Sequence, residues 1–281
     1  MSSAGDLPEA LARRFGIAAA GLVERTAIAV VWRVELAGGG VAGLKVFHEE
    51  GLANEGPGLA WMRARDGAGV VRLLDQQGRA VLMEWQEGPS LGDLVRRGED
   101  VRAARALLSV AQRLHRGAET GAGLSLPPLE AWFGALRDVT LAAACAPEAA
   151  RDMLAARDIA ERLLATPREV RGLHGDLHHD NIRDGARGWL AFDAKGVRGE
   201  RAYELANAFR NPKGAGALVA DPARIAALAD LWSEGFGVER TRLLDWAAAK
   251  CALSICWRAK GPVAADAEFG LLARLIAARG G

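Results

Sequence analysis

Residues 173–196 read LHGDLHHDNIRDGARGWLAFDAKG, and they gather the chain's most reactive cluster of side-chain types. His174 and Asp176 are separated by one residue, Asn181 follows the aspartate at the fifth position, and Asp193 closes an apolar run from Trp189 to Phe192. Transfer of a phosphoryl group to a hydroxyl needs one carboxylate at the hydroxyl proton. It also needs an amide oxygen and a second carboxylate to hold Mg²⁺ against the phosphates. Asp176, Asn181 and Asp193 supply those three groups in that order. Taken singly, an Asp or Asn in a loop is an ordinary turn or cap residue. The joint pattern HxDxxxxN, with a following strand that ends in Asp, is what this chemistry demands.

Lys45, within GLKVF, is a fourth candidate. An ammonium flanked by Leu44 and Val46 on an inner strand needs a partner, and a nucleotide phosphate fits. Glu55 is the carboxylate expected to orient Lys45, although Pro57 follows closely and Glu49 and Glu50 are rivals. The run GGGVAG at residues 38–43 matches a dinucleotide fingerprint in form only, because a strand and not a helix follows it. A turn near Glu24 to Ala29 is the expected cover for the phosphates, with Thr26 as a donor there. His174 and His178 have the spacing of metal ligands on a helix, but Gly175 argues against a helix, so His174 is expected to hold the loop.

These residues must be positioned by two kinds of element. After a short helix capped by Asp6 and ended by Gly16, Thr26 to Leu36 and Leu44 to His48 form a hairpin. A helical stretch Leu59 to Arg65 follows, then strands Val70 to Leu74 and Arg79 to Trp85; these four strand ranges belong to a small layer expected to hold five short strands and one inserted helix. Lys45 falls on its third strand. Past Gly88-Pro89, segments with helical spacing dominate: Val101 to His115, Leu129 to Leu141, Glu148 to Ala165, Ala223 to Trp232, Arg240 to Trp257 and Ala264 to Ala278. The expectation is an α+β, two-lobed, protein-kinase-like fold, with an antiparallel-sheet lobe over residues 1–85 and a larger helical lobe over residues 86–281. Gly172 to Lys195 is the polar, irregular island within the helices.

Composition narrows the classes. The 281 residues carry 36 basic against 35 acidic side chains, so no global basic field invites nucleic acid. Cys145, Cys251 and Cys256 form no CxxC pair, which speaks against a disulfide framework or zinc ribbon and for a reducing compartment. No apolar stretch is long enough for a membrane span, and the N-terminus does not read as a signal peptide. A cytoplasmic enzyme is expected.

The run Trp189 to Pro212, WLAFDAKGVRGERAYELANAFRNP, resembles the aminoglycoside phosphotransferase-like kinases, and within them the streptomycin 6-kinase type of the aminoglycoside/hydroxyurea resistance kinases. The resemblance implies Asp176 as catalytic base, Asn181 and Asp193 as Mg²⁺ ligands, and Lys45 as the α/β-phosphate contact of ATP. It also implies a hinge at Met83 to Trp85, where Glu84 and Trp85 would meet the adenine through their main chain. Glu204 is similar to the acidic residue that anchors the catalytic loop from below, and a solvated first-turn glutamate is the alternative. Glu200 and Arg201 replace the family's more usual Asp-Pro, and Ala194 replaces a frequent proline.

The implied activity is ATP- and Mg²⁺-dependent phosphorylation of a small-molecule hydroxyl, with an aminoglycoside such as streptomycin as one acceptor. A small metabolite, either an amino alcohol or a sugar, is the alternative acceptor, and a silent nucleotide-binding module is the non-enzymatic alternative. A protein kinase is excluded because no activation segment fits between Asp193 and Gly199. From His174 onward 13 acidic residues face 15 basic ones, so composition lends a polycationic acceptor no support.

Overall fold

The computed structural model describes residues 7–117 and 123–280. Asp6, expected to cap the first helix, lies outside the described residues. That helix, α1, spans Glu9–Phe15 and ends at Gly16, whose φ of 62° is the left-handed conformation that glycine adopts at little cost.

Five antiparallel strands follow: β1 (Ile17–Arg25), β2 (Ala29–Leu36), β3 (Val41–Phe47), β4 (Leu73–Gln77) and β5 (Ala80–Glu84), in the order β1-β2-β3-β5-β4. β1 had no counterpart in the residue pattern. It is alanine-rich and mostly exposed, and pairing with β2 holds it at the sheet edge. The glycines at 38–40 make the β2–β3 turn, where Leu36 N–H bonds to the Gly40 carbonyl at 3.0 Å. Lys45 sits opposite Val31 and Val81 on the central strand β3.

Helix α2 runs from Glu49 to Arg65 with Pro57 inside it, so it begins ten residues before the expected Leu59 start. The glycines beside the proline explain how the backbone is accommodated. A Cβ on Gly58 would stand 1.7 Å from the Ala194 carbonyl oxygen, and one on Gly196 would stand 2.4 Å from that of Pro57. The proline turn of α2 therefore lies directly against the loop after Asp193.

The second lobe holds α3 (Leu91–Arg96), α4 (Asp100–Leu114), α5 (Leu129–Trp132), α6 (Gly134–Arg137), α7 (Pro147–Ala165), α8 (Gly216–Val219), α9 (Pro222–Phe236), α10 (Arg240–Ala259) and α11 (Phe269–Ala277). A capping box starts α3: Ser90 accepts from the Asp93 N–H and Asp93 from that of Ser90. The expected helix from Leu129 to Leu141 is split at Phe133, whose buried ring packs edge-on against Tyr203 and Trp246. α10 is buried on nearly all sides from Leu243 to Ile255, which makes it the central post of this lobe. Two small ribbons interrupt the helices, β6 (Val170–Leu173) with β9 (Val197–Glu200) and β7 (Ile182–Arg183) with β8 (Leu190–Ala191). A 3₁₀ helix, Arg201–Arg210, follows them.

Candidate active site

The β6–β9 ribbon delivers residues 174–176 to the cleft between the lobes. Under that turn lies Glu204, fully buried, whose carboxylate accepts the N–H groups of His174 and Gly175, each at 3.0 Å, and bonds to His115 Nε2 at 2.7 Å. Burial alone would raise this carboxyl. The hydrogen bonds from His115 and from the Gly175 N–H outweigh burial and hold it below the usual carboxylate range. Of the two sequence readings, Glu204 is the loop anchor. His174 is also fully buried, and burial pushes its pKa down. Its Nδ1 accepts from Asp176 N–H at 3.3 Å while Nε2 donates to the Phe192 carbonyl at 2.9 Å, which fixes a neutral ring.

Asp176 emerges from this anchored turn. Its Oδ1 accepts from Asn207 Nδ2 at 2.7 Å, and Oδ2 lies 4.0 Å from His178 Nε2. Asn207 is buried, and its own Oδ1 accepts from Arg210 at 2.9 Å, so its amide can point only one way. Arg210 is in turn held by both oxygens of Glu268 at 2.8 Å. This relay, Glu268 to Arg210 to Asn207 to Asp176, was absent from the sequence reading. It joins groups from three separate elements, and no local spacing marks it.

Asn181 is held by its amide: Nδ2 donates to the Asp176 carbonyl at 3.0 Å, which leaves Oδ1 for another partner. Asp193 takes a left-handed φ of 63°, rare for a non-glycine residue, and its carboxylate forms an ion pair with Lys45. Burial would raise the Asp193 carboxyl, but the Lys45 ammonium, its hydrogen bond and the Lys195 charge together hold it below the ordinary value. Two hard oxygen donors, Asn181 Oδ1 and the Asp193 carboxylate, thus line one cleft and could hold a hard divalent cation.

Glu55 departs from expectation. Its carboxylate forms an ion pair with Lys195, while Lys45 takes Asp193. The reason is the close approach of α2 to residues 194–196, which brings Lys195 to the buried Glu55. Glu49 is exposed, and the side chain of Glu50 lies outside the described residues. Thr26 also departs. Its hydroxyl donates to the Ala29 carbonyl at 3.0 Å and accepts the N–H groups of Ile28 and Ala29, so it closes its own turn and is not held open for a phosphate.

The cleft encloses about 670 Å³ and is bounded by Val31, Lys45, Met83, Trp85, Asp176 and Asp193, with Thr26, Glu84 and Asn181 also on its wall. Gly43 lets Trp85 lie across β3, since a Cβ there would come within 3.2 Å of the indole. Glu84 is tied into the scaffold. Its N–H goes to the Arg72 carbonyl at 2.9 Å, and its carboxylate accepts from Arg187 Nε at 2.9 Å and from Arg72 N–H at 3.1 Å. Hydrogen bonding by the Glu84 main chain toward a base is therefore left to its carbonyl.

Comparison with known proteins matches this architecture. The profile of a family described as aminoglycoside/hydroxyurea antibiotic resistance kinase covers residues 14–261. A streptomycin 3''-kinase of Klebsiella pneumoniae is 40% identical over 71% of this chain and 73% of its own length. A hydroxyurea phosphotransferase of Kitasatospora aureofaciens is 32% identical over 95% of this chain and 77% of its own length. Among solved structures, an amicoumacin kinase in complex with AMP-PNP and Ca²⁺ shares the fold with a TM-score of 0.63 at 12% identity, covering 99% of this chain and 93% of that one. With two lobes around a cleft that gathers Lys45, Asp176, Asn181 and Asp193, and with these relatives, the chain belongs to the aminoglycoside/hydroxyurea antibiotic resistance kinase family.

Proposed function

We propose that the cleft holds ATP with Mg²⁺ and that Asp176 takes the hydroxyl proton as the γ-phosphoryl group passes to a small-molecule acceptor. The observation that carries this reading is the setting of Asp176. One oxygen is fixed by Asn207 at 2.7 Å, while Asn181 and Asp193 stand on the same cleft wall. Mg²⁺ would neutralise charge on the β- and γ-phosphates and on the oxygens of the transferring group. Asn181 Oδ1 and the Asp193 carboxylate would hold it. Lys45, now neutralising Asp193, would turn to the α- and β-phosphates once Asp193 has a metal to bind. The Glu55–Lys195 pair fastens α2 to the loop that carries Asp193 and so keeps Lys45 and Asp193 in register. The main chain from Glu84 to Trp85, at the boundary of the two lobes, would meet the adenine.

The names of the relatives make streptomycin and hydroxyurea the first acceptors to test. The three unpaired cysteines favour a cytoplasmic setting, and among the described residues no helix is long and apolar enough to cross a membrane. A coupled assay should detect ADP only when MgATP and a hydroxyl acceptor are both present. ADP formed at the same rate without any acceptor, across the panel, would contradict the transferase reading.

A further inference from the structure

Lys250, on the central helix α10, is not explained by the nucleotide cleft. It is 3% exposed, and among the described residues no carboxylate lies within ion-pair distance of its Nζ and no acceptor bonds to it. Its ammonium rests instead against two indoles, 4.4 Å from the Trp257 ring centre and 5.9 Å from that of Trp132. The two rings meet edge-on at 6.0 Å. Aromatic faces offset part of the cost of burying a cation but satisfy none of its three N–H donors. Trp257, which covers one side of this ammonium, is 44% exposed.

This cluster adjoins the turn that carries Asp176, and none of its three residues is in the lining of the nucleotide cleft. Trp132 packs against the catalytic turn, 3.3 Å from where a Cβ on Gly175 would stand, and Gly175 precedes Asp176. The charged groups acting on Lys250 are Asp176 and Lys195 of the loop, Arg210 of the 3₁₀ helix and Glu268 ahead of α11. The other acids nearby are neutralised: Glu55 by Lys195, Glu268 by Arg210 and Arg258, and Asp266 by Arg258. Among the described residues that act on Lys250, the paired charges then cancel and leave its ammonium and the Asp176 carboxylate. A polycationic acceptor would meet an ammonium already seated between the indoles, whereas an oxygen acceptor would find unused donors.

We propose that Lys250 binds an oxygen of the acceptor, a carboxylate or carbonyl placed near the hydroxyl that faces Asp176, and so selects small oxygen-bearing acceptors over polycations. The proposal rests on the kinase reading above and adds to it a specificity-determining residue. Burial lowers the Lys250 ammonium to about 8, with the field of Asp176 opposing that shift, so acceptor affinity should weaken as pH rises through this value.

The test is ADP release by the wild type, Lys250→Met and Lys250→Arg, with hydroxyurea as carbonyl acceptor, glycolate and lactate as carboxylate acceptors, and streptomycin as polycation. The wild type should prefer one of the oxygen-bearing acceptors, and the better arm identifies which oxygen Lys250 takes. Lys250→Met should raise the KM for that acceptor about 10- to 100-fold with a smaller change in kcat, as expected for loss of a hydrogen bond to a charged group. Lys250→Arg should recover part of the loss, and the wild-type KM should rise above about pH 8. If Lys250→Met does not fold, the Arg variant and the wild-type pH profile decide the matter. Streptomycin as the best acceptor, or a KM indifferent to Lys250 and to pH, would overturn the proposal alone. Absence of ADP release with every acceptor would overturn the kinase reading and the proposal with it.

Discussion

At the scale of single residues, Glu204 shows how a buried charge can be structural and still govern chemistry. Its carboxylate is held by two backbone N–H groups and His115 directly beneath the turn that presents Asp176. Removing it would leave those donors unpaired in the core, so Glu204→Ala should cost about 3–5 kcal/mol in urea unfolding; a cost under about 1 kcal/mol would show that the anchor is dispensable. The sign of its pH dependence follows from the lowered folded-state pKa. The unfolded chain binds the proton more readily, so the stabilisation is present above the usual carboxylate range and is lost as pH falls through the folded value. Glu204→Gln should flatten that acid-side loss. The pattern proposed to be catalytic was legible because His174, Asp176, Asn181 and Asp193 are close in sequence. The orienting relay through Asn207, Arg210 and Glu268 was not, since each link depends on contacts the fold creates.

At the scale of elements, the longer helices of the second lobe were legible from the spacing of their apolar residues: α4, α7, α9 and α10 lie close to their expected limits. β1 was not, because an alanine-rich edge strand carries no alternation of its own. The break between α5 and α6 is set by the buried ring of Phe133, and Pro57 failed to mark a boundary because its neighbouring glycines let α2 pack onto residues 194–196. That contact yields an element-level prediction. Gly58→Ala would drive a methyl into the Ala194 carbonyl, displacing α2 from the Asp193 loop. The variant should be destabilised by about 1–3 kcal/mol and should raise the KM for ATP. Wild-type stability and KM would show that this approach does not position the loop.

At the scale of the whole molecule, the two lobes bring charges from distant parts of the chain to one cleft. The pair Lys45–Asp193 spans them, and Arg187 adds a strap from the β7–β8 turn to Glu84 and to the carbonyls of Gly67 and Val70. The near balance of 36 basic and 35 acidic residues conceals this local order. If the cleft binds nucleotide through one set of groups and performs transfer through Asp176, the two functions separate when MgATP-induced thermal stabilisation and acceptor-dependent ADP release are measured in parallel for the wild type and Asp176→Asn. Both proteins should be stabilised alike by saturating MgATP, by about 2.7 kcal/mol at a hundredfold excess over Kd, while ADP release by the variant falls by about 10²- to 10⁴-fold. Unchanged ADP release by Asp176→Asn would rule out Asp176 as the base.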